Sequence, residues 1–162
     1  MNIDMEHATM KDYDYLAQHD VHLPQHRLLA KINASEVYMI RLLPANTNEA
    51  EDDTSAEGDG TLIGWLRYGW FWDHTPFMNL LWLSESYRRQ GIGKQAVHLW
   101  EQQMAAQGCF TVMTSTQSDE EAQHFYRQLG YKDAGALMQE DAAMEIIFTK
   151  AIVPLITSTI VD

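Results

Sequence analysis

Cysteine is almost missing from this chain: Cys109 is the single one in 162 residues. That excludes an internal disulfide framework and suits a reducing compartment. Cys109 sits between a helix end and an apolar run, where a small buried hydrophobe is the reading and an acyl-carrying nucleophile is not. Positive charge is also scarce, with 11 Lys and Arg against 23 Asp and Glu, a formal net charge of −12. Nucleic-acid binding needs a cationic face to displace counterions, so it is excluded as a function class. A cationic or amine substrate is compatible with the same charge. No apolar run approaches the ~18 residues of a membrane-spanning helix, and the first residues carry no signal-peptide core. The expectation is a cytoplasmic protein with no membrane partner. Internal repeats are absent too.

What is present is a core. Hydrophobic residues make up 46% of the chain, with 5 Phe, 5 Trp and 7 Tyr. A chain of this length buries roughly 70% of the surface its unfolded form exposes. The expectation is one domain over residues 1–150 and an apolar, β-branched C-terminal tail over 151–162, interrupted by Pro154. That tail and an open sheet edge make a homodimer possible.

Hydrophobic periodicity lays out the elements. Residues 2–8 read as a strand, and Thr9–His19 and Pro24–Asn33 as helices, with Pro24 at the first helical position. Glu36–Leu43 is a strand. The segment 46–60 is acidic and nearly free of apolar residues, a solvated loop. Leu62–Trp70 and Phe77–Leu83 read as strands joined by the six residues 71–76. Trp65, Trp70, Phe71, Trp72 and Trp82 crowd this hairpin; cross-strand packing accounts for most of them. Ile92, Ala96, Leu99, Trp100 and Met104 recur at helical spacing, and Gly108 stops that helix. Phe110–Ser115 is a strand. Ser118 and Glu121 have the spacing of a capping box, opening a helix whose stripe is Ala122, Phe125, Tyr126 and Leu129 and which Gly130 ends. Tyr131–Met138 and Ala142–Lys150 close the chain as strands. The result is β-α-α-β-β-β-α-β-α-β-β: an α/β (α+β) chain with a mixed sheet and helices on its faces. The helix between Leu83 and Phe110 makes the flanking strands parallel.

Chemistry concentrates at Arg88-Arg89-Gln90-Gly91-Ile92-Gly93-Lys94. The run lies between a strand and a helix, where unsatisfied backbone N–H groups and the positive end of the helix dipole meet. Glycine lets an anion come close to the main chain, and Arg88, Arg89 and Lys94 add charge. A phosphorylated ligand is the expectation. Gly91-Ile92-Gly93-Lys94-Gln95-Ala96 also satisfies the dinucleotide fingerprint, but the next strand ends in Thr114-Ser115-Thr116 without the acid that would hold a ribose. A P-loop fails because Gln95 stands where Ser or Thr is needed. His19, His22 and His26 do not converge on a metal, since Pro24 breaks the helix that would bring them together.

These features resemble the GNAT-type N-acetyltransferases over roughly residues 60–150. Arg88-x-x-Gly91-x-Gly93 is similar to the family's pyrophosphate loop. Ala122-x-x-Phe125-Tyr126-x-x-x-Gly130-Tyr131 is similar to its late helix, and Glu145-Ile146-Ile147-Phe148-x-Lys150 to its closing strand. The resemblance implies a mostly antiparallel sheet with a splayed parallel strand pair, and acetyl-CoA as co-substrate with no metal. It implies cofactor contacts from Leu81, Trp82 and Leu83 and from the loop Arg88, Arg89, Gln90, Gly91, Ile92, Gly93 and Lys94. A backbone N–H near Leu83 would hold the developing oxyanion. Tyr126 would protonate the leaving thiolate, and transfer to an amine would be direct. Two departures stand out. Asp119 replaces the family's frequent Asn before the late helix. The general base is unassigned, with Asp73, His74, Glu36, Glu85 or a water relay all open. The alternative function is a non-catalytic acyl-CoA-binding regulatory module, against which Tyr126 argues.

Overall fold

The computed structural model describes residues 1–44 and 60–154. The acidic segment 46–60 and the tail 151–162 lie outside these, apart from Gly60 and residues 151–154. The strands are β1 Ile3–His7, β2 Val37–Leu42, β3 Thr61–Phe71, β4 Thr75–Leu83, β5 Thr111–Gln117, β6 Lys132–Leu137 and β7 Glu145–Ala151. The helices are α1 Tyr13–His19, α2 Gln25–Asn33, α3 Ile92–Ala106 and α4 Ala122–Gln128, with single 3-10 turns at Met10–Asp12 and Glu85–Tyr87. The strands form one mixed sheet in the order β1-β2-β3-β4-β5-β7-β6. Only β4 and β5 are parallel, through Phe77–Met113 and Met78–Thr114; β1–β2, β2–β3, β5–β7 and β6–β7 are antiparallel. The element order and the parallel pair are those read from the sequence.

Two compact units divide the chain, one of residues 1–67 and 80–96, the other of 68–79 and 97–162. In the first, α1 and α2 bury Leu16, Leu28 and Ile32 against Val37, Met39 and Trp65. The Asp20 carboxylate, at the end of α1, takes Arg67 Nε at 2.9 Å from β3. In the second, Trp100 and Met104 of α3 are fully buried, as are Val112 and Phe148 on β5 and β7. Trp100 lies 6.0 Å from Tyr68.

Several boundaries differ from the sequence reading, each for a local reason. Thr9 and Asp12 cap one another, and the first turn closes with the Asp12 N–H on the Thr9 carbonyl at 3.0 Å, a 3-10 bond, so the helix proper starts at Tyr13. Pro24 is the N-cap of α2 and not its first helical residue: its ψ is 143°, and its carbonyl takes the Arg27 and Leu28 N–H groups at 2.9 and 3.0 Å. The β3–β4 connection is a tight turn in place of six residues. Trp72 and Asp73 both take positive φ, 50° and 62°, as a turn matching the strand twist requires. The Ser118–Glu121 capping box does not form. Ser118 N–H goes to the Met144 carbonyl at 2.8 Å, Glu121 is the N-cap with no side-chain bond, and α4 begins at Ala122.

Gly108 and Gly130 do end their helices. At Gly130 (φ 89°) the N–H of Gly130 reaches the Arg127 carbonyl at 3.0 Å, and the N–H of Tyr131 reaches that of Tyr126 at 3.1 Å. That pair of bonds is a Schellman motif, and the left-handed residue at its centre is what closes it. Space is not limiting, since the nearest atom to an added Cβ is Lys150 Cε at 3.8 Å. Gly130→Ala is therefore expected to cost about 1–2 kcal/mol of backbone strain alone, read as a drop of a few degrees in Tm by calorimetry.

Candidate active site

β4 ends at a backbone edge. Ser84 N–H donates to the Ile63 carbonyl of β3 at 2.8 Å. Successive N–H groups along a strand face opposite sides, so Leu83 turns its N–H away from β3. Its carbonyl points the same way and accepts Arg88 Nε at 2.7 Å. Leu83 is buried, whereas Leu81 and Trp82 are half-buried. The Trp82 ring stacks on Trp65 at 4.3 Å, and the Arg88 guanidinium lies 6.0 Å from the Trp82 ring centre. Arg88 thus ties the loop back to the strand while its other donors stay exposed.

The loop itself is wound to present main chain. After the 3-10 turn Glu85–Tyr87, Arg89 and Gly91 take left-handed φ of 57° and 81°. Gly91 contributes its carbonyl to the first bond of α3, from Gln95 N–H at 3.1 Å. Having no side chain, it cannot cap the N–H groups that follow, and no acidic residue stands in the first turn of α3. An added Cβ at Gly91 would meet nothing within 4 Å, so the approach from outside is open. Free helix N–H groups next to a left-handed turn form an anion-binding concavity. Arg89 and Lys94 are exposed beside it; Ile92 is buried, so only its main chain is available. Gln90 turns its amide back to the Ser86 carbonyl at 2.7 Å.

In the second unit, Tyr126 is 8% exposed on α4. Its ring meets Tyr131 edge-on at 5.6 Å and Phe148 at 6.2 Å. Burial pushes its phenol above the usual value; a hydrogen bond with Thr114 opposes this, and the nearby Glu120 carboxylate adds to it. Tyr126 therefore stays protonated at neutral pH. Beyond it, Lys150 Nζ pairs with both Glu101 oxygens at 2.7 and 2.9 Å and lies 5.4 Å from the Tyr131 ring centre. Burial first, then Glu101, pushes the Tyr131 hydroxyl far up, so it too remains neutral.

The sequence profile of the acetyltransferase (GNAT) family matches residues 16–131. The chain belongs to the GNAT acetyltransferase family. Among curated proteins no sequence relative matches. The GNAT fold is shared with Ard1 from Thermoplasma volcanium, at 15% identity and a TM-score of 0.72, covering 94% of this chain and 99% of that one. It is shared with an aminoglycoside 6′-N-acetyltransferase complexed with coenzyme A, at 17% identity and 0.69, over 95% and 98%. The NatC complex bound to Gag peptide and CoA gives 14% identity and 0.69, over 94% and 100%. At such identities the likeness is one of fold; the family match makes acetyl transfer the class of reaction.

The residues left open as a GNAT base are scattered. Asp73 sits at the hairpin tip, and His74 lines a cavity of about 510 Å³ with Trp70, Gln107 and Phe110 at the start of β4 and β5. Glu36 pairs with Lys31, and Glu85 is exposed in the 3-10 turn after β4. Cys109 lines the same cavity as His74, and burial raises its thiol pKa, away from nucleophilic use. Among the described residues no cluster of three or more His, Cys, Asp or Glu is arranged for a metal, and no helix is long and apolar enough to cross a membrane. Thr114 and Glu120 are the site neighbours that sequence reasoning passed over. Both lie at or just beyond β5, and only the packing of α4 reveals them.

Proposed function

We propose that the protein is an acetyl-CoA-dependent N-acetyltransferase that moves the acetyl group directly to a primary amine of a small molecule or a protein. The observation that carries this reading is the uncapped start of α3 behind Arg89 and Gly91, following a strand whose last N–H, at Leu83, faces away from its partner. The loop's N–H groups, with Arg89 and Lys94, would hold the pyrophosphate of acetyl-CoA. Leu83 N–H would polarise the thioester carbonyl and hold the oxyanion as the neutral amine attacks. Tyr126 would give its proton to the departing thiolate. A net charge of −12 favours an acceptor that arrives as a cation. The two structural relatives with coenzyme A, one an aminoglycoside enzyme and one bound to a peptide, set the acceptor classes to try first.

Calorimetric titration with acetyl-CoA tests the loop. The Gly91→Asp/Lys94→Glu variant places carboxylates where the anion would sit and is expected to weaken binding about 100-fold or more. Thiol release is then followed with aminoglycosides and with peptides bearing a free amino terminus. No binding by the wild type would overturn the proposal. Binding without thiol release from any amine would favour the regulatory acyl-CoA-binding module.

A further inference from the structure

The cavity beside His74 has no part in the chemistry above. It holds about 510 Å³, the size of a small-molecule site, and lies where α3 ends and where β4 and β5 begin. Its walls come from Trp70, His74, Thr75 and the run 107–111, so neither the 88–94 loop nor Leu83 nor Tyr126 contributes. Two aromatic rings on these walls are open to solvent, Phe110 at 67% and Trp70 at 39%. Both are held from behind. The Phe110 carbonyl accepts the Ile152 N–H at 2.8 Å. Trp70 meets Tyr68 edge-on at 6.0 Å, and the buried Tyr68 lies 6.0 Å from Trp100 in the core. A ring already fixed in place loses little freedom when a ligand settles on it.

The end of α3 sets the charge that suits this space. A Schellman turn closes the helix at Gly108 (φ 85°), with Gly108 N–H on the Ala105 carbonyl at 3.0 Å and Cys109 N–H on that of Met104 at 3.1 Å. The last turn carries no basic residue, so the negative end of a 15-residue helix has no side-chain cation of its own. Among the described residues no Lys or Arg lines the cavity either. An added Cβ at Gly108 would meet nothing within 4 Å, which leaves the helix end open to what enters. His74 is the one basic side chain on the wall, and its Nδ1 lies 2.9 Å from Thr75 Oγ1. No Asp or Glu lines the cavity, so a hard metal ion finds no carboxylate there. Open ring faces and a bare helix C-terminus both favour positive charge on an apolar body. A net charge of −12 draws such ions toward the protein.

We propose that this cavity binds a small organic cation of the alkylammonium class, its charge against the end of α3 and its carbon shell on Trp70 and Phe110. The site is one that acetyl transfer does not use. Its occupant needs no lone pair, unlike the amine of the proposed reaction, so a quaternary nitrogen serves.

The test uses choline as the probe and 3,3-dimethylbutan-1-ol, its uncharged carbon isostere, as the control. Acetyl-CoA is left out, and the pH is held at about 8, the top of the range in which histidine ordinarily titrates. Saturation-transfer NMR and tryptophan fluorescence should give a Kd for choline on the order of 1 mM. The isostere should bind at least about 10-fold more weakly. Trp70→Leu and Phe110→Leu keep apolar bulk and remove a ring, and each is expected to weaken choline about 3- to 30-fold. Gln107→Lys puts an ammonium group at the end of α3; it should abolish binding and raise Tm by about 1–3 °C. Should that variant lose its fold, Tm shows it, and the two ring variants decide. Equal affinity for choline and its isostere, or unchanged binding in the ring variants, would overturn the proposal. So would no binding by the wild type, the result expected if a second copy of the chain covers the cavity in solution. Thiol release from acetyl-CoA plays no part in the readout, so none of these outcomes bears on the acetyltransferase reading.

Discussion

Tyr126→Phe is expected to lower kcat by about 10²–10⁴-fold, the usual worth of a positioned general acid, while the Kd for acetyl-CoA changes less than about twofold. The substitution removes one oxygen and keeps the ring. Contacts with Tyr131 at 5.6 Å and Phe148 at 6.2 Å depend on that ring and should survive. The stability cost is therefore limited to what the hydroxyl itself contributes, about 1 kcal/mol. A split between kcat and affinity is the signature sought, because a side chain that only fills the core would change stability and leave turnover alone. Steady-state thiol release beside calorimetric titration measures both halves. If turnover is unaffected, Tyr126 is packing and the thiolate departs unprotonated. The buried phenols also set an upper pH limit. Tyr126 and Tyr131 are both raised above the ordinary tyrosine value of about 10. Their contribution to stability is fully present below that value, and it is lost as pH climbs above it, because the unfolded chain ionises first.

The largest loss of stability is expected from Asp20→Ala, about 3–5 kcal/mol, because it strands a buried guanidinium. Arg67 and Asp20 have side-chain exposures of only 7% and 0%, with Nε–Oδ2 at 2.9 Å. A second contact runs from Nη2 to Oδ1 at 3.5 Å, and the same oxygen takes His22 N–H at 3.3 Å. One carboxylate thus fixes both the end of α1 and the turn after it. The Arg127–Asp133 pair, at 36% and 53% exposure, offers the contrast: solvent screens it, and such pairs are worth little. Replacing both buried partners with apolar residues, Asp20→Leu/Arg67→Met, should recover much of the loss, since neither charge is then left alone. Urea denaturation with unchanged m-values decides the matter. A domain with a typical 5–15 kcal/mol in hand would be close to unfolding in the single variant. A loss under about 1 kcal/mol would mean that solvent reaches the pair in solution.

Local signals in the sequence carried most of the element order. Gly108 and Gly130 each end a helix because a left-handed residue is needed there whatever the rest of the molecule does. The glycines and basic residues at 88–94 mark a strand-to-helix turn for the same reason. What the sequence left unread is non-local. Thr114 meets Met78 across 36 positions, and Asp20 meets Arg67 across 47, so no window of sequence contains either pair. In place of the capping box, a tertiary partner, the Met144 carbonyl, takes the serine's N–H, the donor that the Glu121 side chain would have needed. The turn at Trp72–Asp73 has none of the Asn or Gly that usually accompanies two positive φ values, and it hid for that reason. Aromatic pairing across it, Phe71 with Phe77 at 6.3 Å, shows what the strands gain by running that far.

The turn after α4 has a kinetic side. Its 3.1 Å bond joins the Tyr131 amide to the carbonyl of Tyr126 itself, so the residue proposed as the acid is anchored by the last link of its own helix. Helix ends open more often than helix centres. Each opening of this one releases the Tyr126 main chain and exposes the Tyr131 amide to exchange with solvent deuterium. The exchange rate of that single amide therefore counts how often the helix end that anchors Tyr126 comes apart.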